Sequence, residues 1–322
     1  MKPSTALTLG LACLLLSPNL AGAQQNWPEK PVRMLTGGGN GSGSDLLGRV
    51  FGEFFKDRTG QVWIMDNRPG ASSAIASTLA KQAAPDGYTF YLTQVAAFAV
   101  APYVLKEVNY DPIKDFEHVA KLVSATSVLF VRKDNRNLDT LADLIAYARK
   151  NPGKLSYAVA GVGTSTNMSI ALIKQKLGLD MVMVPYKSSA DPLMSVVKGE
   201  TDFSVAIAQV IGERPDIKPL AVTAGQRSPR LPSVSTIAEL AIPGYDITTW
   251  FGISAPKGVP RPVVDRMSAI IKAAGENPKT KNDIYRLGSD IDYLDPAAFT
   301  QFVAAELKKW GPIVAVSGVP KE

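Results

Sequence analysis

Residues 36 to 45 read Thr-Gly-Gly-Gly-Asn-Gly-Ser-Gly-Ser-Asp, and the organisation of the 322-residue chain is read outward from them. The stretch follows a short apolar run, Val32, Met34 and Leu35. It precedes a segment in which Leu46, Leu47, Val50, Phe51, Phe54 and Phe55 recur at helical spacing on one face. The unit therefore reads strand, glycine loop, helix, with the helix starting near Ser44 or Asp45. Five glycines leave backbone amides uncovered by side chains, and the helix start adds unpaired N–H groups and the positive end of its dipole. Such a place binds anions. Taken alone, a Gly/Ser loop also reads as a turn with no ligand.

A second loop of the same kind weighs against the plain turn. Ala160-Gly161-Val162-Gly163-Thr164-Ser165-Thr166-Asn167 follows an apolar run from Leu155 to Val159 and precedes a helical stretch from Met168 to Leu177 stopped by Gly178. If each loop belongs to its own α/β lobe and the lobes face one another, both helix N-termini point into one cleft at the carboxyl ends of the strands. The pair reads as a clamp for an acid.

The first 23 residues carry one Lys near the front, an apolar core from Ala6 to Leu16 and Ala21-Gly22-Ala23 before Gln24, the pattern of a secretory signal peptide cleaved after Ala23. Cys13, inside that core, is the single cysteine, so an exported product has no disulfide. No later stretch reads as a membrane span. About 300 remaining residues fit one large or two medium domains. The formal charge of +6 is spread without a basic block, which argues against nucleic acid while remaining compatible with small anions.

Strand-length apolar runs recur at 62–65, 88–92, 128–131, 155–159, 181–184, 203–207 and 220–222, separated by helical stretches, an α/β layout expected to be mainly parallel. Asp139 is placed to cap a helix holding Leu141, Leu144, Ile145 and Ala148. Pro262 and Pro296 sit where a first helical turn tolerates proline, the latter after Asp295 as N-cap. His118 is the only histidine and reads as a surface loop residue. With one histidine, no cysteine beyond Cys13 and no Gly-x-Ser-x-Gly elbow, neither a metal set nor a hydrolase triad is available. Neither glycine loop has the P-loop or dinucleotide spacing, so no cofactor is expected.

Several segments together resemble the Bug, or TctC-type, periplasmic solute-binding receptors of the tripartite tricarboxylate transporter systems. They are Trp-Pro-Glu-Lys-Pro-Val-Arg at 27–33, the first glycine loop ending in Ser44-Asp45, Asp-Asn-Arg-Pro-Gly-Ala at 66–71 and Ala-Pro-Asp-Gly-Tyr-Thr at 84–89. Further along come Tyr-Asp-Pro-Ile-Lys-Asp-Phe at 110–116, the second glycine loop, Val-Pro-Tyr-Lys at 184–187, Arg-Ser-Pro-Arg-Leu-Pro at 227–232 and Trp-Phe-Gly at 250–252. The resemblance implies a Venus-flytrap receptor of the type II periplasmic-binding-protein fold. Its two α/β lobes are joined by crossover strands: lobe 1 at 24–125 plus 250–322, lobe 2 at 126–249.

By position it implicates Gly41, Ser42, Gly43 and Ser44 from the first loop and Ser72 and Ser73 after the Asn67-Arg68-Pro69-Gly70 turn. From the second lobe it implicates Gly163, Thr164, Ser165 and Tyr186. Asp45 reads as a helix cap, because an anion would repel it. The implied ligand is a small organic carboxylate and the implied partners are membrane permease subunits, with the protein a periplasmic monomer and not an enzyme. A ligand sensor for a membrane signalling system, or an exported enzyme acting on a carboxylate, are the other readings. The chain departs from the resemblance in its first loop, at Ser72-Ser73 where relatives have Gly-Gly, at Asn167 where relatives have His, and at apolar Val205-Ala206-Ile207-Ala208 where an acidic or amide pair is usual. The last departure disfavours an amino-acid ligand, whose ammonium would want that partner. Trp250 and Phe251 could stack on a ligand or pack in the core, and Lys187 could offer a cation or lie in solvent.

Overall fold

The computed structural model describes residues 26–135, 137–159, 164–186, 191–208, 211 and 214–317. Eleven strands are present among them: β1 (Val32–Thr36), β2 (Trp63–Asn67), β3 (Thr89–Gln94), β4 (Phe116–Ala125), β5 (Ser127–Arg132), β6 (Ser156–Val159), β7 (Val182–Pro185), β8 (Phe203–Ile207), β9 (Ile217–Val222), β10 (Thr249–Pro256) and β11 (Asp290–Leu294). They form two sheets, ordered β11-β4-β10-β3-β1-β2 and β7-β6-β8-β5-β9. With helices packed on both, these are the two α/β lobes of a type II periplasmic-binding fold.

The chain passes from one sheet to the other at Thr126, between β4 and β5, and returns along the segment between β9 and β10. The sheets are mixed and not mainly parallel. Pairs β1–β2, β1–β3, β6–β7 and β6–β8 are parallel, whereas β10 runs antiparallel to both β3 and β4, β11 to β4, and β5 to both β8 and β9. The antiparallel pairings cluster at the crossover, where each lobe receives a strand entering from the other.

Helices α1 (Gly43–Thr59), α4 (Leu141–Lys150) and α5 (Ser165–Leu177) form where the apolar spacing predicts them, and α2 (Ala74–Lys81), α3 (Ala101–Val104) and α6 (Asp191–Lys198) occupy further intervals between strands. The cap of α4 is Thr140 in a reciprocal capping box with Asp143, while Asp139 pairs instead with Lys218. Gly178 ends α5 in a left-handed conformation, and Asp295 caps the terminal helix Pro296–Val316. One apolar cluster runs from Leu35 and Tyr91 in the first sheet through Trp250 to Leu129 and Val131 in the second. The terminal helix, although it follows a first-sheet strand, packs against both β4 and α5. The two lobes thus share a continuous core at the hinge and separate away from it.

Candidate functional site

Strand direction brings the loops together. In the first sheet β3 ends at Gln94, which pairs with Phe251, and β4 ends beside it, with Ser124 opposite Trp250, just before the chain crosses at Thr126. In the second sheet β5 begins at Ser127 opposite Ile207, the last residue of β8. The carboxyl ends of parallel β1, β2 and β3 therefore face those of parallel β6, β7 and β8 across the gap between the lobes. Among the described residues, the site residues expected from the sequence lie at these ends, on the loops that follow them, or in the first turn of the helix after the loop.

The first loop is held by its own side chains. Ser42 is the N-cap of α1 and accepts from the Asp45 N–H at 3.3 Å, so the helix starts at Gly43, slightly earlier than its sequence suggests. Asp45 is buried and accepts from the Gly41 N–H (2.9 Å), Arg49 Nε (3.1 Å) and Asn67 Nδ2 (3.2 Å). Burial alone would raise its pKa. The hydrogen bonds from Arg49, Gly41 and Asn67 outweigh that and hold it below the ordinary carboxylate value. Asn67 also donates to the Gly38 carbonyl at 2.9 Å, tying the ends of β1 and β2 together.

Glycine is required here by close approach. A Cβ on Gly37 would lie 2.2 Å from the Ser73 side chain, and one on Gly38 would lie 2.1 Å from Ser44 Oγ. A Cβ on Gly39, Gly41 or Gly43 would meet nothing within 4 Å. The loop is pressed against its neighbours on one side and open on the other. The Ser42 and Ser44 hydroxyls are 3.2 Å apart, and Ser73 Oγ accepts from Gln94 Nε2 at 2.7 Å. Ala71, Ser72 and Ser73 all have positive φ, 46°, 48° and 70°, three consecutive left-handed residues without a glycine. Each costs about 1–2 kcal/mol, so the turn is a strained one. Ser72 is exposed and Ser73 is buried.

The second loop meets the same gap through α5. Thr164 is its N-cap and accepts from the Asn167 N–H at 3.2 Å, and Ser165 Oγ lies 3.3 Å from Thr249 Oγ1 at the crossover. Gly163 lies outside the described residues, as does Lys187. Tyr186 follows β7, half-buried, with its N–H bonded to the Val159 carbonyl at 2.8 Å. At the end of β8, Ala206 is half-buried and Ile207 exposed, an apolar lip on the gap. The structure thus gathers Gly41, Ser42, Gly43, Ser44, Ser72 and Ser73 on one side, with Thr164, Ser165 and Tyr186 on the other. The sequence reading did not single out Gln94, the partner of Ser73, as a site residue.

Asn167 carries an unexpected feature: it is 1% exposed, and neither its amide oxygen nor its amide nitrogen has a hydrogen-bond partner among the described residues. Leaving such atoms unpaired costs about 1–3 kcal/mol each.

Two other readings are settled against ligand contact or surface position. Trp250 is fully buried, and its indole N–H, like that of Trp310, donates to Glu306 Oε2, at 2.8 and 2.9 Å. His118 is not a surface loop residue. It lies within β4, buried between Phe98 and Phe299, with Nδ1 3.0 Å from Ser254 Oγ and Nε2 unpartnered. Burial, the largest influence, lowers its pKa to about 4. A cavity of about 630 Å³ lies away from the glycine loops. It opens at the other edge of the hinge, among Lys121, Asp292 and Glu306 from one lobe and Gly225 and Asp246 from the other. No group of acidic, His or Cys side chains suited to a metal occurs among the described residues.

Two lobes with crossover strands between them, and loops from both facing one gap, define a bilobal binding protein of the periplasmic type. The chain belongs to the tripartite tricarboxylate transporter family receptors, whose family model matches residues 47–319. It is 32% identical to the UPF0065 protein in the tcbD-tcbE intergenic region of Pseudomonas sp. (strain P51), over 89% of this chain and 86% of that one. Among solved structures it is similar to R. palustris Rpa4515 with adipate (30% identity, TM-score 0.77, covering 91% of this chain and 98% of that one). It is also similar to MatC (Rpa3494) from Rhodopseudomonas palustris with bound malate (26% identity, TM-score 0.73, covering 89% and 100%). No helix among the described residues is long and apolar enough to cross a membrane.

Proposed function

We propose that this protein is a periplasmic receptor, exported by a signal peptide cleaved after Ala23, that closes two lobes on one small organic carboxylate. The receptor hands its ligand to the permease subunits of a tripartite transporter without transforming it, as a monomer. Lobe 1 comprises 24–125 plus 250–322 and lobe 2 comprises 126–249. The observation that carries the reading is the facing of two amide-rich helix starts, capped by Ser42 and Thr164, across one gap. That similar chains were solved with adipate and malate supports a carboxylate as ligand.

The ligand carboxylate accepts from Gly43 and Ser44 on one side and Gly163, Thr164 and Ser165 on the other, with Ser42, Ser72, Ser73 and Tyr186 adding hydroxyls and Gly41, its N–H held by Asp45, shaping the loop. Its far end meets the apolar lip of Ala206 and Ile207, which suits an uncharged or aromatic group better than an ammonium. A thermal-shift screen of mono- and dicarboxylates, aliphatic and aromatic, tests this. A true ligand at a hundred times its Kd adds about 2.7 kcal/mol of stability and raises the melting temperature. A full panel of acids without effect would remove the carboxylate reading.

A further inference from the structure

The lobes are tied together at the edge away from the glycine loops. Between β9 and β10, Arg227 is fixed within its own lobe, to Glu239 at 3.1 Å and Ser235 Oγ at 3.0 Å. Three residues on, Arg230 leaves that lobe. Its guanidinium donates to the Ser289 carbonyl at 2.7 Å, lies 3.3 Å from the Asp290 carboxylate and stacks 3.6 Å from the centre of the Tyr285 ring. All three partners belong to the other lobe, on the helix Pro278–Arg286, the turn after it and β11. The Arg230 side chain is 4% exposed, and its Nε finds no partner among the described residues. A second tie, Lys309 to Asp246 at 3.6 Å, crosses between the lobes at the same cavity.

The sheet orders set the mechanical relation between this edge and the ligand gap. The loops of β1 and β2 lie at one end of the first sheet and β11 at the other, with β4 and β10 between them. In the second sheet β7 and β6 lie at one end and β9, which leads into the Arg230 segment, at the other. The crossovers are therefore a fulcrum. A rotation that brings the loops of β1 and β2 toward those of β6 and β7 draws Arg230 away from Asp290 and Tyr285. In this structure these contacts are made, and Ser42, Ser44 and Asp45 of the first loop, with Asn67 and Ser73 beside it, bond within their own lobe.

We propose that Arg230 is the tongue of a hinge-side latch that opposes closure of the ligand gap, so that contacts made on the far edge set the receptor's affinity. The latch is built to be broken. A buried guanidinium with three contacts is held firmly, but an orphaned Nε–H and a ring that is itself half in solvent subtract from that hold, leaving it within reach of ligand binding energy. Affinity is then the intrinsic closed-state affinity multiplied by the fraction of molecules already free to close.

The inference rests on the receptor reading, and the test separates the two. Arg230→Met keeps an unbranched apolar stem out to the position of Nε and removes the charge and donors; Asp290→Asn removes only the acceptor's charge at a partly exposed position. Small-angle scattering of ligand-free protein is expected to give a smaller radius of gyration for Arg230→Met than for wild type, with Asp290→Asn between them. Calorimetric titration with the best acid from the thermal-shift screen is expected to show tightening of up to about tenfold, the gain when a closable fraction near a tenth becomes the whole population. Folded variants with wild-type radius and affinity would make the cluster mere packing, and weaker binding would place the tie in the closed form; either overturns the latch. Should Arg230→Met fail to fold, Asp290→Asn carries both measurements. Should no acid bind wild type, the carboxylate reading falls while the ligand-free radius still decides the latch.

Discussion

Helices α1 and α5 each begin behind a hydroxyl cap, Ser42 in one and Thr164 in the other, which accepts from the backbone N–H three residues on. At that third position α1 carries Asp45 and α5 carries Asn167, both buried. Asp45 spends its carboxylate on Gly41, Arg49 and Asn67, so the first loop is braced from within. The Asn167 side chain has donors and an acceptor and no partner for either among the described residues. The first unit is preorganised, its amides held in place before a ligand arrives. The second keeps unpaired polar groups beneath its helix start, which under the proposed function are completed on closure. A clamp with one rigid jaw and one unsatisfied jaw can lose little on closing and gain much.

The largest effect expected is on charge. Gly43→Asp places a carboxylate at the first position of α1, where a Cβ meets nothing and a negative charge favours the helix. Folding should be unharmed or improved, while affinity for the acid falls by about a thousandfold, from like charges in a closed gap costing several kcal/mol. Gly163→Asp, in the loop before α5, should match it. Calorimetry and circular dichroism of both variants check this, and a loss confined to one of them would reduce the clamp to a single jaw.

Next in size is the bracing of the first jaw. Gly37→Ala drives a methyl into Ser73 and should lower unfolding stability by about 1–3 kcal/mol, whereas Gly39→Ala, facing open space, should leave it unchanged. Denaturant titrations that rank them equally would mean the loops are not pressed together. For the second jaw, Asn167→Leu removes two unpaired polar atoms and should raise ligand-free stability by about 1 kcal/mol while weakening acid binding. If it destabilises the free protein, Asn167 is satisfied and the contrast between the jaws fails.

The smallest effect concerns acid. Asp45, its pKa held below the ordinary value, contributes stability that is present above the unfolded pKa and is lost as pH falls through the lower folded one. Asp45→Asn should flatten the low-pH limb of the melting curve, and Asn167→Leu should not alter its shape.

Much of this was legible in the chain. Apolar runs between helical spacings marked β1 to β3 and β5 to β9, and the glycine loops marked both helix starts. Strands β4, β10 and β11 escaped, β4 and β11 because their polar residues look exposed and β10 because Gly252 and Ser254 interrupt its apolar run. Within β4, His118 meets Ser254 and Lys121 meets Asp292 at 2.6 Å, partners 136 and 171 residues away. Only the fold supplies those partners. The same distance hid Glu306, buried under two tryptophans, and the Arg230 tie. The left-handed run at Ala71, Ser72 and Ser73 was hidden for another reason: no residue there is the glycine that such angles favour.

In the proposed clamp, loop amides from both lobes grip a charge. The most direct test of that grip is a pair of calorimetric titrations of wild-type protein, with the best acid from the screen and with the primary amide of that acid, identical in shape but neutral. Charge-assisted hydrogen bonds in a closed gap are worth about 1.5–3 kcal/mol each, so the amide should bind at least about a hundredfold more weakly. Equal affinity for acid and amide would contradict the clamp.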